Sequence, residues 1–273
     1  MRIPMIILAM LASPGTLWAA SGGPDAAGYR YIDDAQAGAG APTYNLHSSA
    51  DSQAIAFTDD SVSGPHPLPF PIRFYGEEYR AFYASSNGFI SFIDPSHAWC
   101  CSGRPVPTRS GPQAAIFGIW TDFNPSSAWF RTVDTAEGRV FVYHHEGREI
   151  GNAEQLAWQV HLFEGSSTIE VMIVNSAVRQ RTWTTGIQNH TANVGLQHFY
   201  GSPGNPGPRA VRFYDNALPP VIAFAEGSGS EAPANRQFDA LVTVTDPEGA
   251  VVPLVLQEGP PRLRLVRQSN SQS

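Results

Sequence analysis

The chain has 273 residues, a formal net charge of −7, only 15% charged residues, and many turn formers, with 25 Gly and 23 Pro. All 17 basic residues are Arg, so Schiff-base and P-loop lysine chemistry are excluded. No basic stripe stands out, which argues against a nucleic-acid partner.

The N-terminus reads as an export signal over residues 1–21. Arg2 supplies the positive start, Ile3–Ala12 the apolar run, and Leu17–Ser21 the small residues for cleavage between Ala19 and Gly22. The apolar run is shorter than the ~20 residues a membrane span needs, so no membrane span is expected. The expected location is therefore secreted, extracellular or cell-surface, with the periplasm as the other exported compartment. Residues 22–28 follow as a Gly/Ala-rich flexible lead.

Residues 29–215 read as one β domain. Tyr29–Asp34 is a strand candidate, and Ile55-Ala56-Phe57 is another, ending in the Asp59-Asp60 turn. Phe70, Ile72 and Phe74 alternate with Pro71 and Arg73. Tyr75-Gly76 breaks the run, Tyr79–Ala84 resumes it, and Asn87-Gly88 turns it into Phe89–Phe92. A long Pro/Ser/Gly-rich loop, Asp94–Gln113, comes next; ordered loops of that length are often functional. Ala114–Trp120 is an apolar strand, and Asp122–Trp129 reads as a loop. Arg139–His145 alternates. Gln155–Val174 is a hairpin turning at Glu164–Ser167. Thr184–Gln188, Gly195–Tyr200 and Arg209–Tyr214 complete the series. Many short period-2 segments and no convincing amphipathic helix predict an all-β fold, an antiparallel β-sandwich with long loops.

Composition shifts at Asp215–Pro220. Residues 216–267, with Pro220-Val221-Ile222 and Phe238–Gly249, resemble the first strands of Ig-like or cadherin-like repeats. They are too few for the ~90–100 residues such a domain needs. That segment is expected to be truncated, degenerate or completed by another chain. The tail 268–273 is polar and expected to be disordered.

Cys100 and Cys101 are the only cysteines. They must pair with each other, stay free, or bridge two chains; export to an oxidising compartment favours a vicinal disulfide. The functional reading is a rigid platform beside Trp99 that presents a binding loop with Arg104. The plainer reading is a staple that holds the loop in shape, and it carries more weight. Asp122 and Asn124, two residues apart, are candidate oxygen ligands for Ca²⁺. Before Pro125 they are also ordinary turn formers, the stronger reading, so no cofactor is expected beyond that ion. Asp33-Asp34 and Asp59-Asp60 share the ambiguity. His144 and His145 point to opposite strand faces, so a zinc site with His161 has no support from spacing. Neither a nucleophile elbow nor a zincin motif is present, and no spacing singles out a carboxylate pair for glycoside hydrolysis. Trp120 and Trp158 are expected in the core. Trp99, Trp129 and Trp183 lie at loops or strand ends.

Phe70–Gly76, Ser85–Phe92, Trp99–Pro107 (WCCSGRPVP), Ile116–Pro125 and Thr185–Asn189 (TGIQN) together resemble the nidogen-like, or plexin-domain-containing, type of extracellular β-sandwich module and its bacterial secreted relatives. The resemblance runs from about Tyr29 to Tyr214, with Phe123 where Leu is usual. It implies a β-sandwich with no catalytic set. The expected function is a secreted, non-enzymatic binding or adhesion module for an extracellular protein or glycan. Contact is expected through the Asp94–Gln113 and Asp122–Trp129 loops, with Trp99, Cys100, Cys101, Arg104 and Trp129 as candidate residues. The alternatives are an accessory domain of a secreted peptidase or carbohydrate-active system, and a structural envelope or matrix component. The sequence leaves the oligomeric state open.

Overall fold

The computed structural model describes residues 21–36, 40–136, 138–202 and 209–215, with four further strands in 221–267. The expected signal cleavage region, apart from Ser21, and the tail 268–273 lie outside the described residues. The early strands are β1 (Ser21–Gly22), β2 (Arg30–Asp33), β3 (Gln53–Ile55), β4 (Val62–Phe74), β5 (Glu77–Ser85), β6 (Phe89–Ser91) and β7 (Ala115–Trp120). Then come β8 (Phe123–Thr135), β9 (Gly138–Glu149), β10 (Gln155–Phe163), β11 (Ile169–Ser176), β12 (Trp183–Gln188), β13 (Gly195–Gly201) and β14 (Arg209–Tyr214). They form two antiparallel sheets. One has the order β1-β2-β14-β11-β10-β9-β8-β3, the other β13-β12-β7-β6-β5-β4. The expected β-sandwich is what the chain forms.

Period-2 alternation builds the layer between the sheets. Leu156, Trp158, Val160 and Leu162 of β10 and Ile169, Val171 and Ile173 of β11 face Phe74, Phe82, Ile90 and Ile116 of the other sheet in one buried cluster. Burying a side chain of this size is worth roughly 1.5–3 kcal/mol. Trp120 and Trp158 are both buried, as the alternation predicts, and so is Trp183. Each sheet also buries apolar residues on its outer face. On the six-stranded sheet these are Phe89, Ala115, Phe117 and Trp120; on the eight-stranded sheet they are Trp129, Val140 and Val142.

Three segments depart from the sequence expectation. Residues 123–129 are not a loop but the first half of β8, paired along β9. Asn-Pro-Ser-Ser hides the strand because a register shift between Pro125 and Ser127 absorbs one extra residue. The lead is structured at its start: Ser21 and Gly22 pair with Ile32 and Tyr31. The Asp25 carboxylate then accepts the N–H of Ala27 and of Tyr29, each at 2.9 Å, and the Tyr75 hydroxyl at 2.6 Å. Glycine and alanine there suggest mobility, but one aspartate supplies the bonds that order the turn. Finally, β4 begins eight residues before Phe70 and carries Pro65, Pro67, Pro69 and Pro71. Proline is tolerated because β4 is an edge strand with two register shifts.

In the C-terminal segment, β15 (Val221–Phe224), β16 (Ala240–Thr245), β17 (Val251–Gly259) and β18 (Arg262–Arg267) pair in sequence as one antiparallel meander. Nothing in that pairing singles out an Ig-like repeat.

Candidate functional site

The Ser85-Ser86-Asn87-Gly88 turn between β5 and β6 is the anchor of one end of the sandwich. Ser85, Ser86 and Asn87 are fully buried. The Asn87 amide donates to Asp60 Oδ1 at 2.7 Å and to the Ala98 carbonyl at 3.3 Å, while its Oδ1 accepts the Phe123 N–H at 3.0 Å. Ser85 Oγ also donates to the Ala98 carbonyl, at 2.9 Å. One side chain thus ties together the 58–61 turn, the long loop and the start of β8. Gly88 is required at φ +82°, where a Cβ would collide with the Ile119 carbonyl.

The long loop 94–113 lies as a strap over the outer face of the six-stranded sheet. Trp99 and Val106 cover Phe89, Phe117 and Trp120. The outward polar residues of β12 and β13 pin the strap's backbone. Thr184 Oγ1 donates to the Arg104 carbonyl at 2.7 Å, Gln197 Oε1 accepts the Val106 N–H at 3.0 Å, and Gln188 Oε1 accepts the Thr108 N–H at 3.0 Å. Trp120 Nε1 donates to the Trp99 carbonyl at 2.9 Å, and Trp99 Nε1 to the Pro95 carbonyl at 3.0 Å. Along this pinned backbone Cys100 and Cys101 are joined to each other as a disulfide. Cys101 is exposed, and Cys100 and Trp99 are half-buried. Arg104 is exposed too, its guanidinium donating to the Ser110 carbonyl at 2.7 Å.

Beside the disulfide lies an acidic cluster. Oxygens of Asp59, Asp60 and Asp122 all fall within 4.8 Å of one another, and Asp60 is equally near the two sulfurs. These three are the residues here that could hold a divalent cation. Asp122 is the buried member, and desolvation pushes its carboxyl above the ordinary range, with Arg181 opposing. Arg181 Nη2 pairs with Asp122 Oδ2 at 2.9 Å. The arginine is placed by a turn built around buried Glu149, whose carboxylate accepts the backbone N–H groups of Arg179, Gln180 and Arg181 at 2.7, 2.9 and 2.8 Å. Asp60 and Asp122 therefore each already meet a donor. The sequence pairs Asp122 with Asn124; the fold brings it to Asp59 and Asp60, while Asn124 is exposed on β8 opposite Arg148.

Of the residues expected to form the contact surface, Trp99, Cys100, Cys101 and Arg104 share the strap. Trp129 does not join them. It sits mid-strand on the outer face of the other sheet, 7% exposed, stacked on His144 at 5.0 Å. The histidines are split as strand geometry requires. His145 faces inward against Trp158 and Phe123, and His144 faces outward. His161 lies on the outer face with Gln159 and stacks edge-on with His47 at 4.8 Å. Among the described residues the histidines form no compact metal-ligating group. Residues the sequence reading missed are Glu149, Gln188 and Gln197. Their partners lie 30 to 91 positions away, so no local pattern marks them.

Neither a curated protein nor a solved structure matches the chain. The Asn87 hub, the disulfide-bearing strap and most of both sheets fall within residues 35–211, which match the model of the NIDO-related family, so the chain belongs to the nidogen-related family of modules.

Proposed function

We propose that the protein is an exported, non-enzymatic binding module that engages an extracellular partner, a protein or a glycan, through the outer edge of the 94–113 strap. One observation carries this reading. The strap's inner side is fully used in holding it to β12 and β13, yet its outer side leaves Cys101, Arg104, Pro105, Pro107 and Arg109 exposed on a pinned backbone. A contact surface whose backbone is already fixed loses little entropy on binding. The disulfide adds an apolar step beside the half-buried face of Trp99, and Arg104 a charge with donors to spare.

The nidogen-related family supports an extracellular-type module. The test is a glycan array, with a parallel pull-down from the native secretome, run on the wild type, on Trp99→Ala and on Arg104→Ala. Ligands that bind the wild type and are lost by both variants support the reading. Ligands retained unchanged by both refute it.

A further inference from the structure

We propose that the outer face of the eight-stranded sheet carries a second, separate site: a groove that binds an uncharged saccharide. The groove has a volume of about 680 Å³, within the ~300–1,000 Å³ typical of small-molecule sites. Its floor is a row of ladder partners. His161 of β10 faces Glu170 of β11, which faces Arg212 of β14. Its wall is the segment around Tyr44, which crosses the sheet from β14 to β10. That wall is fastened at both ends. Arg212 Nη1 donates to the Gly40 carbonyl at 2.7 Å, while the Gln159 amide accepts the His47 N–H at 3.0 Å and donates to the His47 carbonyl at 2.7 Å.

Charge in the groove cancels locally. Arg139 grips Glu164 through two hydrogen bonds of 2.8 and 2.5 Å, and Arg212 grips Glu170 at 2.9 and 2.5 Å. Burial, and then neighbouring His47, push the His161 imidazole down to about 3; burial, and then Arg131, lower His47. Both rings are therefore neutral near neutral pH. A phosphate, carboxylate or cation would have to break an Arg–Glu pair to gain a counter-charge. A sugar needs no counter-charge. Its hydroxyls donate to the carboxylate lone pairs left free and accept from the remaining guanidinium N–H groups. Its C–H faces can lie on Tyr44 or Phe163, both in the lining and both half-buried.

The same pairs speak for holding rather than hydrolysing. A glycosidase needs one carboxyl kept protonated by a raised pKa. Here the Arg139 hydrogen bond holds Glu164 below the usual carboxylate range, and Glu170 is bound by Arg212. The groove and the strap lie on different sheets, so the two sites stand or fall independently.

The experiment is an NMR titration of the ¹⁵N-labelled mature protein with neutral cello-, xylo-, chito- and laminari-oligosaccharides, and with oligogalacturonate as the anionic control. Saturable shifts with at least one neutral series, confined to Tyr44–His47, Arg139, residues 161–164, Glu170 and Arg212, are expected. Glu164→Gln and Tyr44→Ala should each weaken that binding about tenfold, which is about 1.4 kcal/mol, with thermal midpoints unchanged. Cys100→Ser with Cys101→Ser should leave it intact, even if every ligand of the strap is lost. Four results overturn the proposal: no neutral series binds at millimolar concentration; the shifts map to the strap; oligogalacturonate binds more tightly than the neutral sugars; or reducing ends are released.

Discussion

Gly118 of β7 lies directly beneath the indole of Trp158 of β10: a Cβ at 118 would come within 2.5 Å of Trp158 Cε2 and closer still to Cδ2 and Cε3. The absence of a side chain on one sheet makes room for the ring on the other. Gly118→Ala must move an indole that is fully buried. Overpacking of this kind typically costs ~1–3 kcal/mol and occasionally more. Trp158→Ala, the opposite change, should cost ~3–5 kcal/mol through the cavity it leaves. Urea titration of both variants checks this; a wild-type midpoint for Gly118→Ala would mean the sheets are not this close.

Asn87 joins three segments through one amide. Asn87→Ala leaves the Phe123 N–H without its acceptor and the Ala98 carbonyl with one donor fewer. Each buried group left unpaired costs ~1–3 kcal/mol. The expected outcome is lower stability together with faster proteolysis within residues 94–113, since the strap loses one of its inner anchors. Limited proteolysis followed by mass mapping reads the second effect separately from the first.

His145 gives the protein an acid-sensitive limb. It is buried between aromatic rings, and burial, with a smaller contribution from His144, pushes its imidazole down to about 3. The folded pKa is below the unfolded one. The unfolded chain therefore takes up a proton that the folded chain refuses once pH falls below the ordinary histidine value of 6.5. Stability is full above that pH and is lost progressively down to about 3, by up to ~1.4 kcal/mol per pH unit for one such group. His161, also pushed to about 3, acts in the same direction over the same window. The urea midpoint should fall between about pH 7 and about pH 5, and His145→Gln should flatten that slope by about one proton's worth. An identical slope in the variant would remove His145 as its source.

The Cys100–Cys101 bond closes almost no loop, so it constrains the unfolded chain little. Cys100→Ser with Cys101→Ser is expected to shift global stability by no more than about 1 kcal/mol; if the strap is the contact surface proposed above, the same change abolishes that binding. Non-reducing peptide mass spectrometry should find both residues in one oxidised peptide. Two alkylatable thiols, or a disulfide-linked dimer, would contradict the pairing.

What the sequence makes legible is whatever two-residue alternation alone encodes. Leu156–Leu162, Ile169–Ile173 and Phe70–Phe74 announce their faces without help. β8 is hidden because Asn124-Pro125-Ser126-Ser127 spells a turn, and only the ladder with β9 turns it into a bulge. With it the sequence puts Trp129 at the end of a loop beside the strap residues, whereas the ladder sets it mid-strand on the other sheet, stacked on His144. Cys100, Cys101, Trp99 and Arg104 are found together because they are contiguous. The acids that meet Asp122 come from a turn some sixty residues earlier, and Gln188 and Gln197 reach back across 80 and 91 positions. Contacts of that range have no local signature.

The prolines of β4 bear on how copies of this module can meet. The six-stranded sheet ends in a strand where Pro65, Pro67, Pro69 and Pro71 offer no N–H, and three of the four are exposed. A foreign strand laid along that rim meets four positions that cannot donate, which interrupts the ladder it would need. Copies of the module can thus crowd against one another on this side without fusing into a shared sheet. Any contact made on this side therefore falls to side chains rather than to the backbone ladder.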